Sequence, residues 1–242
     1  MEMQSFSHSS SAKNLLPPIG SPQWNDFMFS KYPTPTTGVT GIVKNFLAAS
    51  IFWAINKYGK FKNKKRLGIL EIGCEAGFLL DYLSKKIPEA CLVGSDISKS
   101  ALEKARSKLS PSIRLFYHDI SKEPFRFMAE PFDIIICSET LEHIPDVQKA
   151  IYNLAETASN QTLIIITVPD QHTVNMLKKL MIKLRIFNLL LPGLAPGTSE
   201  WHVHYFTKRD LKNLLKQVLE IVAYRRLPLH HLFIAKKSFK PK

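Results

Sequence analysis

The chain has 242 residues, enough for one ordinary domain with an added arm and cramped for two full domains. Apolar residues make up 45% and charged residues 22%, which excludes an intrinsically disordered or fibrous chain, and ten glycines exclude collagen. Thirty-three Lys and Arg against 20 Asp and Glu give a net charge of +13, which suits nucleic acid, an anionic membrane surface or an acidic substrate and selects none of them. Three cysteines (Cys74, Cys91, Cys137) lack CxxC spacing, which argues against a zinc ribbon or a disulfide framework and for a reducing, cytoplasmic compartment. Ile42–Ile55 and Leu189–Leu194 read as too short or too interrupted to span a bilayer, and no secretory signal is expected.

Residues 1–22 are rich in Ser, Pro and Asn and predict a flexible tail. Residues 23–62 predict a helical arm: an aromatic-rich stretch at 24–32 ending at Pro33 and Pro35, then a helix over Val39–Tyr58. A basic linker with Lys57, Lys60, Lys62, Lys64, Lys65 and Arg66 follows, and residues 63–242 predict the main domain. There, short apolar runs alternate with amphipathic segments: strands within 66–73, 90–97, 112–120, 131–138 and 161–169, and helices at 77–87, 98–109 and 144–159, with Ser98 as an N-cap. Runs such as DIIIC and LIIITV predict burial on both faces, so the fold class is α/β: a Rossmann-like, doubly wound, mostly parallel sheet. The alternation stalls over 171–205, a lid insertion with a helix over Val174–Leu191, and resumes with a helix at 207–218 and strands at 219–227 and 230–237. The short turn at Pro228 and Leu229 makes those last two of seven strands antiparallel neighbours.

ILEIGCEAGFL places a strand, a glycine turn and a helix in succession. Gly73 permits the sharp turn, Gly77 permits close packing at the helix start, and Cys74 and Glu75 complete a loop whose amides face a ligand. Glu71 suits the loop or a ligand's ammonium. Asp96, 23 residues after Gly73, ends the second strand where a carboxylate meets both ribose hydroxyls, with Ile97 beside it. Asp119 and Ile120 end the third strand near an adenine edge, and Ser138 ends the fourth with its backbone bordering the ligand. A dinucleotide-binding dehydrogenase would need GxGxxG where this chain has GxxxG.

The pieces EIGCEAG, Asp96, HDI at 118–120, FDIIICSETLEHIPD at 132–146, LIIITVP at 163–169 and HVHYFTKRDLKNLL at 202–215 resemble the class I S-adenosylmethionine-dependent methyltransferases, over residues 67–238. The resemblance implies S-adenosylmethionine as cofactor, the final antiparallel strand, and Glu75 in place of the usual middle glycine. Methyl transfer is an in-line displacement in which the protein aligns the reactants and excludes water, so a base is needed only where the acceptor must lose a proton. Glu139-Thr-Leu-Glu142-His143 with a distal His202 or His204 is similar to the metal-binding ExxEH of small-RNA 3′-terminal and ubiquinone-pathway O-methyltransferases. A divalent metal on Glu139, Glu142, His143 and His204 would lower the acceptor hydroxyl's pKa. Without metal the same loop caps a helix and lines the pocket, and His143, Glu142 and His202 remain as catalytic candidates. The basic, apolar helix of the insertion suits peripheral docking on an anionic membrane and a small-molecule or lipid-like acceptor, methylated at oxygen. The alternatives are an RNA methyltransferase, for which no binding module is visible, and a catalytically silent binding subunit.

Overall fold

In the computed structural model, residues 17–31, 38–59, 61, 64, 66–127, 131–190 and 202–238 are described. The chain outside these, including most of the tail, part of the basic linker and residues 191–201 of the insertion, lies beyond the description below. The main domain runs β1 (Gly68–Ile72), α3 (Phe78–Lys86), β2 (Cys91–Asp96), α4 (Lys99–Lys108), β3 (Arg114–Tyr117), β4 (Ile134–Ser138), α5 (Val147–Thr157) and β5 (Leu163–Pro169). It continues with α6 (Gln171–Lys183), α7 (Phe187–Leu190), α8 (Lys208–Leu215), β6 (Leu219–Arg226) and β7 (His230–Lys237).

These strands make one seven-stranded sheet in the order β3-β2-β1-β4-β5-β7-β6, parallel except for β7, which is antiparallel to both neighbours. The central strands carry apolar side chains on both faces because both are covered, and Ile134, Ile135 and Ile136 are all fully buried. One face packs against α5 and α8 through Ile151, Leu154, Leu211 and Leu215. The other packs against α2, α3 and α4 through Ile51, Ile55, Leu80, Leu83 and Leu102. Strand order reverses between β1 and β4, where their carboxyl ends diverge and leave a crevice.

Ahead of the sheet lie α1 (Pro22–Lys31) and α2 (Gly38–Tyr58). At 21 residues, α2 is by length and composition apolar enough to cross a membrane, which corrects the expectation of a stretch too short to do so. Leu47, Ala48, Ile51, Ala54 and Ile55 cover the sheet, whereas Val39, Ile42 and Phe46 at its amino-terminal half are exposed. A second correction concerns the insertion: the helix expected over 174–191 is two. Asp170 caps α6 by accepting a hydrogen bond from the Thr173 amide, so α6 starts three residues earlier, and Arg185 with φ 58° breaks the run before α7.

Candidate active site

The glycine turn and β2 meet as the sequence suggests. The Gly73 and Cys74 amides donate to the Ser95 carbonyl, and the Glu75 amide donates to Asp96 Oδ2 at 2.8 Å. Gly73 sits at φ 76°, and a Cβ there would stand 2.2 Å from Thr140 Oγ1, so this turn takes glycine for both backbone and space. Glu75 also adopts a left-handed conformation, φ 49°, a backbone that side-chain-bearing residues seldom take. Its carboxylate turns away toward α2 and pairs with Lys44 Nζ at 2.9 Å.

Two carboxyl groups lie under this loop. Glu71 is buried with Oε2 lacking any hydrogen-bond partner; burial first, then the charges of Asp96 and Glu75, push its pKa from 4.5 up to about 8. Asp96 is pushed up by burial to about 6 despite hydrogen bonds from the Ser98 and Glu75 amides. A cationic ligand would reverse the balance at Glu71, since an ammonium favours the carboxylate. Each Asp96 oxygen accepts one amide and retains a further lone pair for a hydroxyl donor.

The other nominated residues fall unevenly around the crevice. Ile97 is half-buried beside Asp96, and Cys74 is buried in the sheet-facing core. Asp119 accepts from the Ser121 amide and hydroxyl, closing a local turn. Ile120 sits in the α5-side core, and its carbonyl accepts from Asn153. Its side chain packs in the core, so any part it takes beside the cofactor falls to its backbone. The hydroxyl of Ser138 pairs with that of Thr167 at 2.8 Å.

Beyond β4 the ExxEH loop forms a second cluster. Glu142, His143 and His202 each bring a donor atom within 4.8 Å of the others. Glu142 is 1% exposed, neither carboxylate oxygen has a hydrogen-bond partner, and burial followed by the charge of Glu139 holds its pKa well above the usual range. His202 Nδ1 lies 3.1 Å from Gln171 Oε1; with that nitrogen donating, Nε2 keeps its lone pair. Burial, then His143, lowers the His202 pKa to about 4, so the ring is neutral through the working range. Glu139 stands at the edge of the group, accepting from Thr167 and paired at 3.1 Å with His230 Nε2. Burial opposes protonation of His230, and the adjacent Glu139 prevails, raising its pKa.

His204 lies apart from the cluster. Its Nε2 sits 3.0 Å from the Ile144 carbonyl and 3.1 Å from that of Pro145, where it must donate. The structure thus brings His202 to Glu142 and His143, and sends the nominated metal ligand His204 elsewhere. The amides of Val203 and His204 both bond the Glu142 carbonyl, and this turn points the two imidazoles apart.

The N-terminal arm crosses the rim of both groups. Asp26 of α1 accepts from the Ser100 amide at 2.8 Å and the Ser98 hydroxyl at 2.9 Å, at the start of α4 beside Asp96. At its other end, a Cβ on Gly20 would meet Pro145 at 2.6 Å and the His143 carbonyl at 2.9 Å. The aromatic content of 24–32 signals packing, and Trp24 and Phe29 are buried accordingly. Sequence spacing held no sign of Asp26, Thr140, Gln171 or His230, whose roles depend on contacts between distant segments.

Residues 45–218, most of the chain, match a family described as a methyltransferase domain. A ubiquinone biosynthesis O-methyltransferase from Alkalilimnicola ehrlichii is 30% identical over 135 residues, covering 55% of this chain and 52% of that protein. A malonyl-acyl-carrier-protein O-methyltransferase from Bacillus anthracis is 24% identical over 132 residues, covering 54% of this chain and 47% of that one. The match thus spans about half the length of these two curated relatives. Among solved structures, the magnesium protoporphyrin IX methyltransferase from Synechocystis with bound SAH has a TM-score of 0.57 at 19% identity, over 83% of this chain and 85% of that one. At such identity the likeness is one of fold. The chain belongs to the methyltransferase-domain family, with the fold of its class I, S-adenosylmethionine-dependent members.

Proposed function

We propose that the protein methylates an oxygen of a small or lipid-like acceptor with S-adenosylmethionine as the methyl donor. The observation that carries this reading is a pair of carboxyl groups, buried Glu71 and half-buried Asp96, under a glycine turn at the strand-order reversal. Glu71, with an orphan oxygen, receives the methionine ammonium, and Asp96 the ribose hydroxyls. The amides around Gly73, Cys74 and Gly77 border the amino-acid end, while Ile97, Asp119 and the backbone at Ser138 border the adenosyl end. Glu75, engaged by Lys44, shapes the turn without crowding the ligand's carboxylate.

When bound, the cofactor supplies an electrophilic methyl on a sulfonium; the rest is alignment, exclusion of water and removal of one proton. The bond formed is acceptor oxygen to methyl, the bond broken is methyl to sulfur, and the hydroxyl proton passes to the imidazole pair. His143 and His202 stand edge-on with ring centroids 4.9 Å apart, and His202 is neutral and open at Nε2. Gln171 orients it.

The same cluster fits a divalent cation. Neither buried oxygen of Glu142 has a hydrogen-bond partner, a cation there would favour its ionised form, and one carboxylate with two imidazoles is a mixed oxygen–nitrogen donor set suited to such an ion. Glu142, His143 and His202 would hold it, with Glu139 adjacent, and it would lower the acceptor hydroxyl's pKa.

A peripheral membrane contact completes the reading. Met176, Leu177, Leu180 and Leu184 form an exposed stripe along α6 and its end, flanked by Lys179, Lys183 and Arg185. Each cation near an anionic surface contributes about 1 kcal/mol. Cosedimentation with phosphatidylglycerol vesicles should be salt-sensitive, and absence of binding at low salt removes this element. For the reaction itself, incubation with radiolabelled cofactor and extracts separated into lipid, small polar and RNA fractions tests the acceptor class. Label in the lipid or small polar fraction supports the reading; label in RNA alone refutes it.

A further inference from the structure

A cavity of about 670 Å³ opens between the start of α6, the segment before α8, and strands β6 and β7. Neither Glu71 nor Asp96 lines it. Its size is in the range of small-molecule sites, about 300–1,000 Å³. Tyr205, Phe206 and Tyr224 supply aromatic walls, and Lys208 and Arg226 supply cations. Arg226 is committed to Asp170 at 3.0 Å. Lys208 faces no carboxylate among the described residues and rests instead over the Tyr224 ring, 4.2 Å from its centroid. Lys208 and Arg226 against Asp170 leave an unbalanced positive charge beside three aromatic rings. The first turns of α6 and α8 both border the cavity.

The cavity adjoins the reacting groups. Gln171 lines it and contacts His202 Nδ1 through Oε1, while Tyr205 lines it with its ring centroid 6.2 Å from that of His202. A flat ligand against Tyr205 would therefore lie beside His202.

We propose that this cavity binds the aromatic, anionic end of the acceptor: a planar ring carrying a carboxylate, sulfonate or phosphate, with Lys208 as its counter-ion and the Tyr205, Phe206 and Tyr224 rings as its aromatic walls. The inference rests on the methyltransferase reading above and names the acceptor class that reading leaves open. It would join an aryl anion here to any apolar tail along the exposed stripe of α6.

The probe is naphthalene-2-sulfonate, titrated calorimetrically into the full chain saturated with S-adenosylhomocysteine, with naphthalene-2-methanol as its neutral counterpart. The expected result is one site, with the anion binding at least tenfold tighter than the alcohol. Lys208 is exposed in the first turn of α8, where an acidic residue suits the helix, so Lys208→Glu should fold normally. That variant should weaken the sulfonate at least tenfold and leave S-adenosylhomocysteine affinity unchanged, and Lys208→Gln should fall between. Saturating sulfonate should also suppress methylation of the extract fraction that the protein labels. Equal affinity for anion and alcohol, no effect of either Lys208 variant, or undiminished labelling under saturating probe would each overturn the proposal. A separate titration with S-adenosylhomocysteine tells this failure from failure of the methyltransferase reading, which would abolish that binding instead.

Discussion

Glu71 offers a perturbation whose size can be worked from the structure. Burial pushes its pKa up from 4.5 to about 8, so the carboxyl is mostly neutral at pH 7. An ammonium ligand binds the carboxylate, which must first be formed, so apparent dissociation constants scale with one plus the ratio of neutral to ionised Glu71. That factor is about 2 at pH 8, about 11 at pH 7 and about 100 at pH 6, an overall weakening of roughly fiftyfold over two pH units. Asp96, at about 6, contributes only at the acidic end of this window. The sign for folding runs the other way in the empty protein. A pKa raised on folding favours the native state below 4.5, and that contribution fades as pH climbs through 8, to the extent of about 5 kcal/mol. Glu71→Gln should remove both effects. The assay is calorimetric titration of S-adenosylhomocysteine at pH 6, 7 and 8, paired with urea unfolding of the empty protein at the same values. An affinity independent of pH in the unmodified protein, or the same slope in Glu71→Gln, would refute the assignment of Glu71 to the ammonium.

Further outcomes follow from the same contacts. Gly73→Ala forces a side chain into a left-handed backbone and onto Thr140; strain of about 1–2 kcal/mol and overpacking of about 1–3 kcal/mol sum to about 2–5 kcal/mol of lost stability in urea unfolding. Asp26→Ala removes two hydrogen bonds at the α4 amino terminus, costing about 1 kcal/mol, and should accelerate S-adenosylhomocysteine dissociation in stopped-flow; an unchanged rate would mean the arm does not cover the ligand. Manganese or zinc should raise the melting temperature by several degrees when well above its dissociation constant, since binding at a hundredfold excess contributes about 2.7 kcal/mol. Glu142→Gln and His202→Ala should abolish that shift, and His204→Ala should leave it intact, because His204 is turned to the Ile144 and Pro145 carbonyls.

The sheet was legible because its signal is local. Runs such as IIIC and LIIITV are apolar on both faces, and strand ends coincide with Gly73, Asp96 and Ser138, so counting along the chain locates the crevice. Glu75 was readable as a departure from the glycine pattern, and its left-handed backbone shows what that position demands. What sequence could not give was contact between distant segments. Two histidines two residues apart read as equivalent ligands until both flanking amides are seen to bond Glu142, which separates them. His230 reaches Glu139 only because β7 pairs antiparallel with β5 and sets His230 opposite Pro169. Ile120 reads as a strand-end residue like Ile97, yet the Asp119–Ser121 turn rolls its side chain into the core. The break between α6 and α7 rests on one left-handed residue, Arg185, which carries no glycine or proline signal.

The most direct measurement is a crystal structure of the protein grown with saturating S-adenosylhomocysteine. The account predicts the adenosyl group across the carboxyl ends of β1 and β2, ribose hydroxyls on Asp96, and the ligand's ammonium within hydrogen-bond reach of Glu71. Well-ordered crystals with that crevice still empty, or with the ligand held in the cavity beside α8 instead, would contradict it.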